Sequence, residues 1–86
     1  MSRYYFDVRD GDKLQTDDEG REQSSFDAVL EEATLSLAEM ALDAVGKHGP
    51  DHRMSIEVRD DRGPVLKVKC TFEIERLQQR EEYLVI

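Results

Sequence analysis

The sequence has one cysteine, two prolines and no tryptophan, and it lacks any long apolar run. One cysteine cannot form an internal disulfide. Cys70 occupies an apolar position in an alternating run, so we expect a buried thiol in the reducing interior of a cell. No run approaches the roughly 20 apolar residues that a membrane-spanning helix needs. Residues 1–10 also lack the basic start and apolar stretch of a signal peptide. These absences predict a cytoplasmic protein with no membrane partner.

Signatures of catalysis and cofactor binding are missing as well. The sequence contains no Gly-x-Ser-x-Gly elbow, no phosphate-cradling glycine-rich loop and no Cys-x-x-Cys. The two histidines, His48 and His52, flank a Gly-Pro pair that interrupts any helix presenting both rings to a metal, and no third ligand is close in sequence. The acidic residues between Asp10 and Glu19 lack the ligand spacing of a calcium loop. We therefore expect no enzyme activity, no metal and no cofactor.

Negative charge dominates the composition. The 86 residues include 20 acidic and 12 basic side chains, which gives a formal net charge of -8. Such a charge opposes general attraction to nucleic-acid phosphates and favours solubility or a basic protein partner. The charged fraction of 37% is high enough to suggest disorder, but the regular apolar periodicity indicates a folded chain. Its length permits one domain with a single core.

A short phrase occurs twice in the chain. Residues 6–11 read Phe-Asp-Val-Arg-Asp-Gly, and residues 56–63 read Ile-Glu-Val-Arg-Asp-Asp-Arg-Gly. In both copies apolar residues alternate with polar ones, as in a half-buried strand, and a cluster of Asp and Gly follows that favours a tight turn. The repeat therefore predicts two β-hairpins.

The first hairpin has two possible registers. A two-residue loop would place Val8 opposite Lys13, whereas a three-residue loop from Asp10 to Asp12 would place Val8 opposite Leu14. Only the second arrangement keeps the apolar face intact, and we predict it for that reason.

The second hairpin is predicted by its charges. A loop over residues 60–64 would place Glu57 opposite Lys67 and leave apolar residues opposite each other on the other face. The apolar alternation of the fourth strand runs over residues 66–74, which predicts a strand of that length.

Between the hairpins the pattern predicts a long amphipathic helix. Ser24 followed by Asp27 resembles a weak capping box, and Gly46 and then Gly49 with Pro50 end the helix. Apolar side chains recur at helical spacing and predict a stripe that faces the core. The stripe consists of Phe26, Val29, Leu30, Ala33, Leu37, Met40, Ala41 and Ala44.

Together these elements predict an α+β fold in the order ββαββ. Two β-hairpins are joined by one long amphipathic helix, which packs on one face of a four-stranded sheet. Residues 1–74 would form a single domain and residues 75–86 a C-terminal tail. The tail ends in four apolar residues, Tyr83, Leu84, Val85 and Ile86. Because water does not favour such an end, we expect it to dock on its own or a neighbouring subunit, and the order of the strands stays open.

Two surfaces are candidates for binding. On the helix, Leu35, Ala38 and Leu42 form a thin apolar strip opposite the core stripe, here called the helix seam. The seam represents either ordinary surface leucines or a contact with a second copy of the helix.

The second candidate is the sheet face that the helix leaves uncovered, here called the outer sheet face. We expect its basic and aromatic residues to be Tyr5, Arg9, Lys13, Arg59, Lys67 and Lys69. Rings and cations on a sheet suit single-stranded nucleic acid. Three acids, Asp7, Glu57 and Glu73, interrupt the face and make this the weaker interpretation.

The start of the chain resembles a known family. Residues 3–6 read Arg-Tyr-Tyr-Phe and are followed by Asp10-Gly11, by Asp18-Glu19-Gly20 and by a helix. This combination, over roughly residues 2–70, resembles a family of small uncharacterised bacterial proteins that are mainly alphaproteobacterial. The resemblance implies no activity, substrate or catalytic residue. A weaker likeness, on Gly20 and on Glu31-Glu32-Ala33, is to the HicB-type antitoxins.

We therefore expect a non-catalytic cytoplasmic binding or assembly module. It would be homodimeric, and its interface would be either the helix seam with the apolar end of the tail or the outer sheet face. An antitoxin-like regulator that neutralises a basic protein partner is the second expectation. Nucleic-acid binding through the outer sheet face is the third.

Overall fold

The computed structural model describes residues 2–78. Its elements are β1 (Ser2–Asp10), β2 (Lys13–Gln15), β3 (Arg21–Gln23), α1 (Phe26–His48), β4 (Met54–Asp60) and β5 (Gly63–Cys70). The strand order is β2-β1-β4-β5, β3 also pairs with β1, and every pairing is antiparallel. The predicted α+β class, with one helix between two hairpins, is confirmed.

The sheet has five strands instead of four because the return strand of the first hairpin is divided. β2 pairs with the end of β1, and β3 pairs with its start. Residues 16–20 bulge out between the two pieces and face only residues 5–7 of β1. β2 and β3 are therefore two parts of one interrupted edge strand.

The turn between β1 and β2 is tighter than predicted. Asp10 pairs with Lys13, so the loop contains only Gly11 and Asp12. Gly11 has a φ of 63°, and no non-glycine residue described has a positive φ. This is the combination expected of a type II′ turn, whose first central position needs glycine. The predicted three-residue loop is wrong.

The tighter turn changes which face several side chains occupy. Val8 lies opposite Gln15, and Leu14 lies opposite Arg9. Because directly opposed residues share a face, Leu14 is placed on the outer sheet face, where it is 49% exposed. Lys13 shares the helix side of the sheet with Asp10, and its predicted place on the outer sheet face is wrong.

The second hairpin keeps the predicted register, with Glu57 opposite Lys67. Its loop is shorter than residues 60–64, because β4 continues to Asp60 and pairs there with Gly63. A β-bulge next to Val58 and Arg59 absorbs the extra residue of β5.

β5 ends earlier than its apolar pattern predicts. Its last residue, Cys70, lies opposite Met54, the first residue of β4, so β4 offers no partner beyond that point. Residues 71–78 consequently have no regular secondary structure. The predicted strand over residues 66–74 is wrong in its second half, because alternation alone does not supply a neighbouring strand.

The two copies of the repeated phrase pair with each other. They form the central strands β1 and β4, in which Asp7 lies opposite Glu57, Phe6 opposite Val58 and Val8 opposite Ile56. The apolar residues face the helix, and the charged residues face outward.

α1 packs on β4 and β5 and closes one core. The buried apolar residues are Val29, Ala33, Leu37, Ala41, Ala44, Met54, Ile56 and Val58. Cys70 is a partly buried free thiol at the edge of this core. Among residues 2–78, no helix combines the length and the apolar character needed to cross a membrane.

The ends of α1 differ from the prediction. Ser25, not Ser24, caps the helix and accepts a hydrogen bond from the backbone N–H of Ala28. The helix passes through Gly46 and ends at Gly49, whose φ is 82°. Together with a ψ of -178°, this φ gives a conformation that residues with a side chain rarely adopt.

Two residues of the predicted core stripe lie outside the core at the start of α1. Phe26 is 53% and Leu30 is 43% exposed, whereas Val29 between them is fully buried. A helix of 23 residues is about 35 Å long, and the seven residues of β4 span about 23 Å. The sheet is shorter than the helix, and in the first two turns the core includes Val29 but not Phe26 or Leu30.

Candidate functional site

The outer sheet face brings together most of the residues predicted for it. Cross-strand pairing places Tyr5 opposite Arg59 and Glu57 opposite Lys67. Arg9 and Lys69 both lie opposite Ser55, from its two sides. Five of the six predicted residues therefore share one surface, and Lys13 does not.

Arg59 is engaged by its own neighbours on this face. Its Nε donates to Oδ2 of Asp7 at 2.9 Å, and Nη2 donates to the backbone carbonyl of Asp17 at 2.8 Å. The guanidinium lies 4.6 Å from the centroid of the Tyr5 ring. The hydrogen bond to Asp7 raises the pKa of Arg59. Because the guanidinium covers Tyr5, that ring is not free to stack on a nucleotide base.

Asp17 holds the bulge between β2 and β3. Its Oδ2 accepts from the backbone N–H of Phe6 at 3.0 Å, and its Oδ1 accepts from those of Glu19 and Gly20, each at 3.1 Å. Its own N–H donates to Oδ1 of Asp7 at 2.9 Å. The side chain thereby replaces the ladder bond that β1 lacks where the edge strand is interrupted.

Ionisation of Asp17 is favoured in the folded state. Partial burial opposes the charged form, but the backbone N–H groups of Phe6, Gly20 and Glu19 outweigh that effect and lower the pKa of Asp17. The bulge thus depends on a carboxylate rather than a carboxylic acid.

Arg9 and Glu57 mirror the pairing of Arg59 and Asp7. The Nε of Arg9 donates to Oε2 of Glu57 at 3.2 Å, and Lys67 lies 4.0 Å from the same oxygen. Each acid of the repeated phrase thus meets the arginine of the other copy diagonally across two strands. These diagonal contacts offset the repulsion between Asp7 and Glu57, which lie directly opposite each other.

The two arginines of the repeat are expected to respond differently to substitution. Arg59→Lys should lower Tm more than Arg9→Lys, because lysine cannot reach Asp7 and the Asp17 carbonyl together while stacking on Tyr5. Arg9 donates one hydrogen bond, to Glu57, within the described part of the chain. Thermal melts followed by circular dichroism measure both shifts, and equal shifts would show that the Arg59 network adds nothing.

An open groove of about 980 Å³ lies where the outer sheet face meets the loop before β4. Its basic lining residues are Arg9, His52, Arg53, Lys67 and Lys69, and its acidic ones are Asp12, Asp51 and Glu73. Arg53 and Lys69 form no ion pair within residues 2–78. The lining is mixed in charge, so it provides a solvated surface rather than a site shaped for one anion.

Lys13 contributes to a smaller cleft on the helix side. The cleft has a volume of about 450 Å³ and an apolar floor that includes Val8, Met40 and Met54. The turn at Gly11 therefore decides that Lys13 borders the helix instead of the outer sheet face.

The structure brings both histidines together at the end of the helix. The rings of His48 and His52 stack with their centroids 4.7 Å apart, and Nε2 of His52 hydrogen-bonds to Oδ1 of Asp10. This hydrogen bond lowers the pKa of Asp10 and outweighs a small opposing effect of burial. The backbone N–H of Gly11 also donates to the carbonyl of Arg53 at 2.9 Å. The cluster ties the first turn to the loop before β4.

The cluster of His48, His52 and Asp10 does not have the geometry of a metal site. Over residues 2–78, no group of three or more His, Cys, Asp or Glu side chains has an arrangement that could hold a metal ion. The histidines instead provide packing and a hydrogen bond to the turn.

Acid is expected to destabilise the fold through Asp10 and Asp17. The pKa of each lies below the ordinary value of 3.8 in the folded state, so the stability they provide is present above that pH and is lost as pH falls through the folded pKa. Urea unfolding across this range should show the free energy of unfolding decreasing below about pH 4. Asp17→Asn should flatten the decrease, and an unchanged slope in that variant would contradict this assignment.

The helix seam is exposed in the single chain. Leu35 is 56% and Leu42 is 78% exposed, and Ala38 between them is exposed as well. A second apolar surface lies on residues 71–78, where Phe72 is 49% and Ile74 is 73% exposed. The predicted interface residues Tyr83, Leu84, Val85 and Ile86 lie outside the described residues.

Sequence reasoning missed the role of Asp17 and the contact between His52 and Asp10. A local signal existed for the first, because an Asp followed three residues later by Gly is typical of a side-chain-capped turn. No local signal existed for the second, since 42 residues separate its members.

No curated protein and no solved structure matches this chain. One family model, described as a domain of unknown function, DUF6894, matches residues 3–71. The match includes the hairpin-helix-hairpin unit except for Ser2, the first residue of β1. Because it spans well over half of the chain, the protein belongs to the DUF6894 family, whose function is unknown.

Proposed function

We propose that this protein is a non-catalytic assembly module that binds a second copy of itself. The supporting observation is the large apolar surface that the single chain leaves in water. Phe72, Ile74 and Leu77 are between 49% and 86% exposed. Burying such a side chain contributes about 2 kcal/mol, so covering several of them provides a substantial driving force for association.

The side chains of the outer sheet face support a structural rather than a catalytic role. Arg59 binds Asp7 and covers Tyr5, and Arg9 binds Glu57. These groups satisfy one another across the central strands. A catalytic site needs groups that remain available to a substrate and that are positioned around a shared reacting atom.

Sedimentation velocity at micromolar concentration tests the proposal. We expect the intact chain to sediment as a dimer, with a monomer appearing on dilution. A species of monomer mass at every concentration would contradict it.

A second candidate function is a regulator that neutralises a basic protein, as an antitoxin neutralises a toxin. The observation in its favour is that the exposed acids Glu31 and Glu39 border the helix seam, in a chain of net charge -8. An apolar strip with acidic borders suits a basic amphipathic helix better than a second copy of itself. Titration calorimetry with a leucine-rich basic helical peptide would test this. Binding that Leu35→Glu with Leu42→Glu abolishes would support it, and no heat of binding would contradict it.

A further inference from the structure

We propose that the dimer forms by extension of β5. Residues 71–75 continue the strand and pair antiparallel with residues 67–71 of a second copy, so that Thr71 of each copy lies opposite Thr71 of the other. This inference rests on the proposed function, because it specifies how the self-association occurs. It joins the two five-stranded sheets into one continuous sheet.

Each chain has both a strand edge that can accept a partner, on β5, and a segment that can pair with such an edge, residues 71–75. β5 pairs with β4 on one side, and no strand among residues 2–78 pairs with its other side. Beyond Cys70 the apolar alternation of β5 continues through Phe72 and Ile74, which are largely exposed. In β-strand addition, an extended segment of one chain pairs with the exposed sheet edge of another. Residues 71–75 have the pattern of such a segment, and β5 has such an edge among residues 2–78.

Charge selects the register of the pairing. β5 carries Lys67 and Lys69 on its outward face, and the following segment carries Glu73 and Glu75 in the same alternation. Pairing about Thr71 places Lys69 opposite the partner's Glu73 and Lys67 opposite the partner's Glu75. Each dimer thus gains four pairs of opposite charge, which stabilise cross-strand neighbours.

The same register matches the apolar residues on the helix side. It places Cys70 opposite the partner's Phe72 and Val68 opposite the partner's Ile74. Cys70 and Val68 already border the core. The exposed side chains of one copy thereby extend the core of the other.

Other pairings are disfavoured by charge. Two β5 strands paired about Val68 would place Lys67 opposite the partner's Lys69, and lysines on an edge strand normally prevent such pairing. Pairing of two helix seams would bring their bordering acids, Glu31 and Glu39, close to the same acids of the partner.

Residues 71–78 are poorly suited to fold back onto the edge of their own β5. They continue that strand directly and contain neither the glycine nor the proline that favours a tight return. A second copy is therefore the occupant that the sequence and the free edge both fit.

A charge-reversal experiment tests this pairing. One variant carries Glu73→Lys with Glu75→Lys, and the other carries Lys67→Glu with Lys69→Glu. In each variant alone, all four cross-strand pairs become like charges, so we expect dimerisation at least about 100-fold weaker than that of the wild type. In an equimolar mixture the charges are opposite again, and a heterodimer should form. Sedimentation velocity detects both results.

A matched control separates the pairing from net charge. Asp18→Lys with Asp61→Lys changes the net charge by as much as the first variant, at exposed carboxylates outside the proposed interface. This control, and the variant with Leu35→Glu and Leu42→Glu, should remain dimeric. Circular dichroism confirms that each variant is folded.

The outcomes distinguish the two proposals. A wild type that is always monomeric overturns the assembly function together with this interface. A wild-type dimer that both charge variants retain overturns only the β5 pairing. Monomeric variants whose mixture stays monomeric also overturn it, because that register requires the mixture to associate.

Discussion

An Asp17→Ala variant is expected to unfold with a free energy about 3 kcal/mol lower than that of the wild type. The change removes the acceptor of three backbone N–H groups, those of Phe6, Glu19 and Gly20. Hydrogen bonds to a charged group contribute about 1.5 to 3 kcal/mol each when shielded from water, and partial exposure of this site reduces the sum. Urea unfolding at one fixed protein concentration measures the loss, since association also affects stability.

Asp18 provides the matched control for this prediction. It is the next residue and is exposed, and its side chain makes no hydrogen bond or ion pair within residues 2–78. Asp18→Ala should change the free energy of unfolding by less than about 0.5 kcal/mol. Similar effects of both substitutions would show that the carboxylate of Asp17 does not hold the bulge.

Gly20→Ala is expected to cost about 3 kcal/mol, for a different reason. Gly20 has a φ of 74°, which an L-residue adopts at a cost of about 1 kcal/mol. An added Cβ would also lie 2.9 Å from Cε2 of Tyr5 and 3.0 Å from the backbone carbonyl oxygen of Tyr4. The ring can move only by disturbing its contact with Arg59, and the carbonyl belongs to β1. Thermal and urea unfolding measure the loss.

Gly49 shows a backbone cost without a close approach. Its φ is 82° and its ψ is -178°, a conformation almost exclusive to glycine, and an added Cβ would have no atom within 4 Å. Gly49→Ala should therefore lose about 1 to 3 kcal/mol through the backbone alone. If Gly20→Ala loses no more than about 1 kcal/mol, the close approach to β1 does not contribute.

The sequence pattern was sufficient to predict the helix and the two hairpins, but not to predict how every strand pairs. Alternation and the pairing of Glu57 with Lys67 predicted the second hairpin correctly, because its charges and apolar residues agree on one register. The register of the first hairpin was predicted wrongly because the prediction gave more weight to a continuous apolar face than to the two-residue turn that Gly11 favours. Leu14 is left exposed as a result.

The repeated phrase proved more informative than a pair of hairpin signals. The two copies lie side by side as β1 and β4, so the arginine of each reaches the acid of the other. Sequence placed Arg9 and Arg59 correctly on the outer sheet face. It could not show that they bind Glu57 and Asp7, because the strand order depends on contacts between residues about 50 positions apart.

The exposed apolar residues of the candidate interfaces were predicted in part. Leu35 and Leu42 are exposed, as a helical projection of the sequence indicates. The exposure of Phe72 and Ile74 was missed, because the alternation that continues from β5 was interpreted as a paired strand. Only the structure shows that β4 begins at Met54, so that this pattern has no neighbouring strand among residues 2–78.

Sedimentation velocity of the equimolar mixture of the two charge-reversed variants tests the central claim most directly. Glu73→Lys with Glu75→Lys and Lys67→Glu with Lys69→Glu should each sediment as monomers at micromolar concentration. Their mixture should sediment at twice the monomer mass. A mixture that remains monomeric, beside a wild type that dimerises, would contradict assembly through the extended β5.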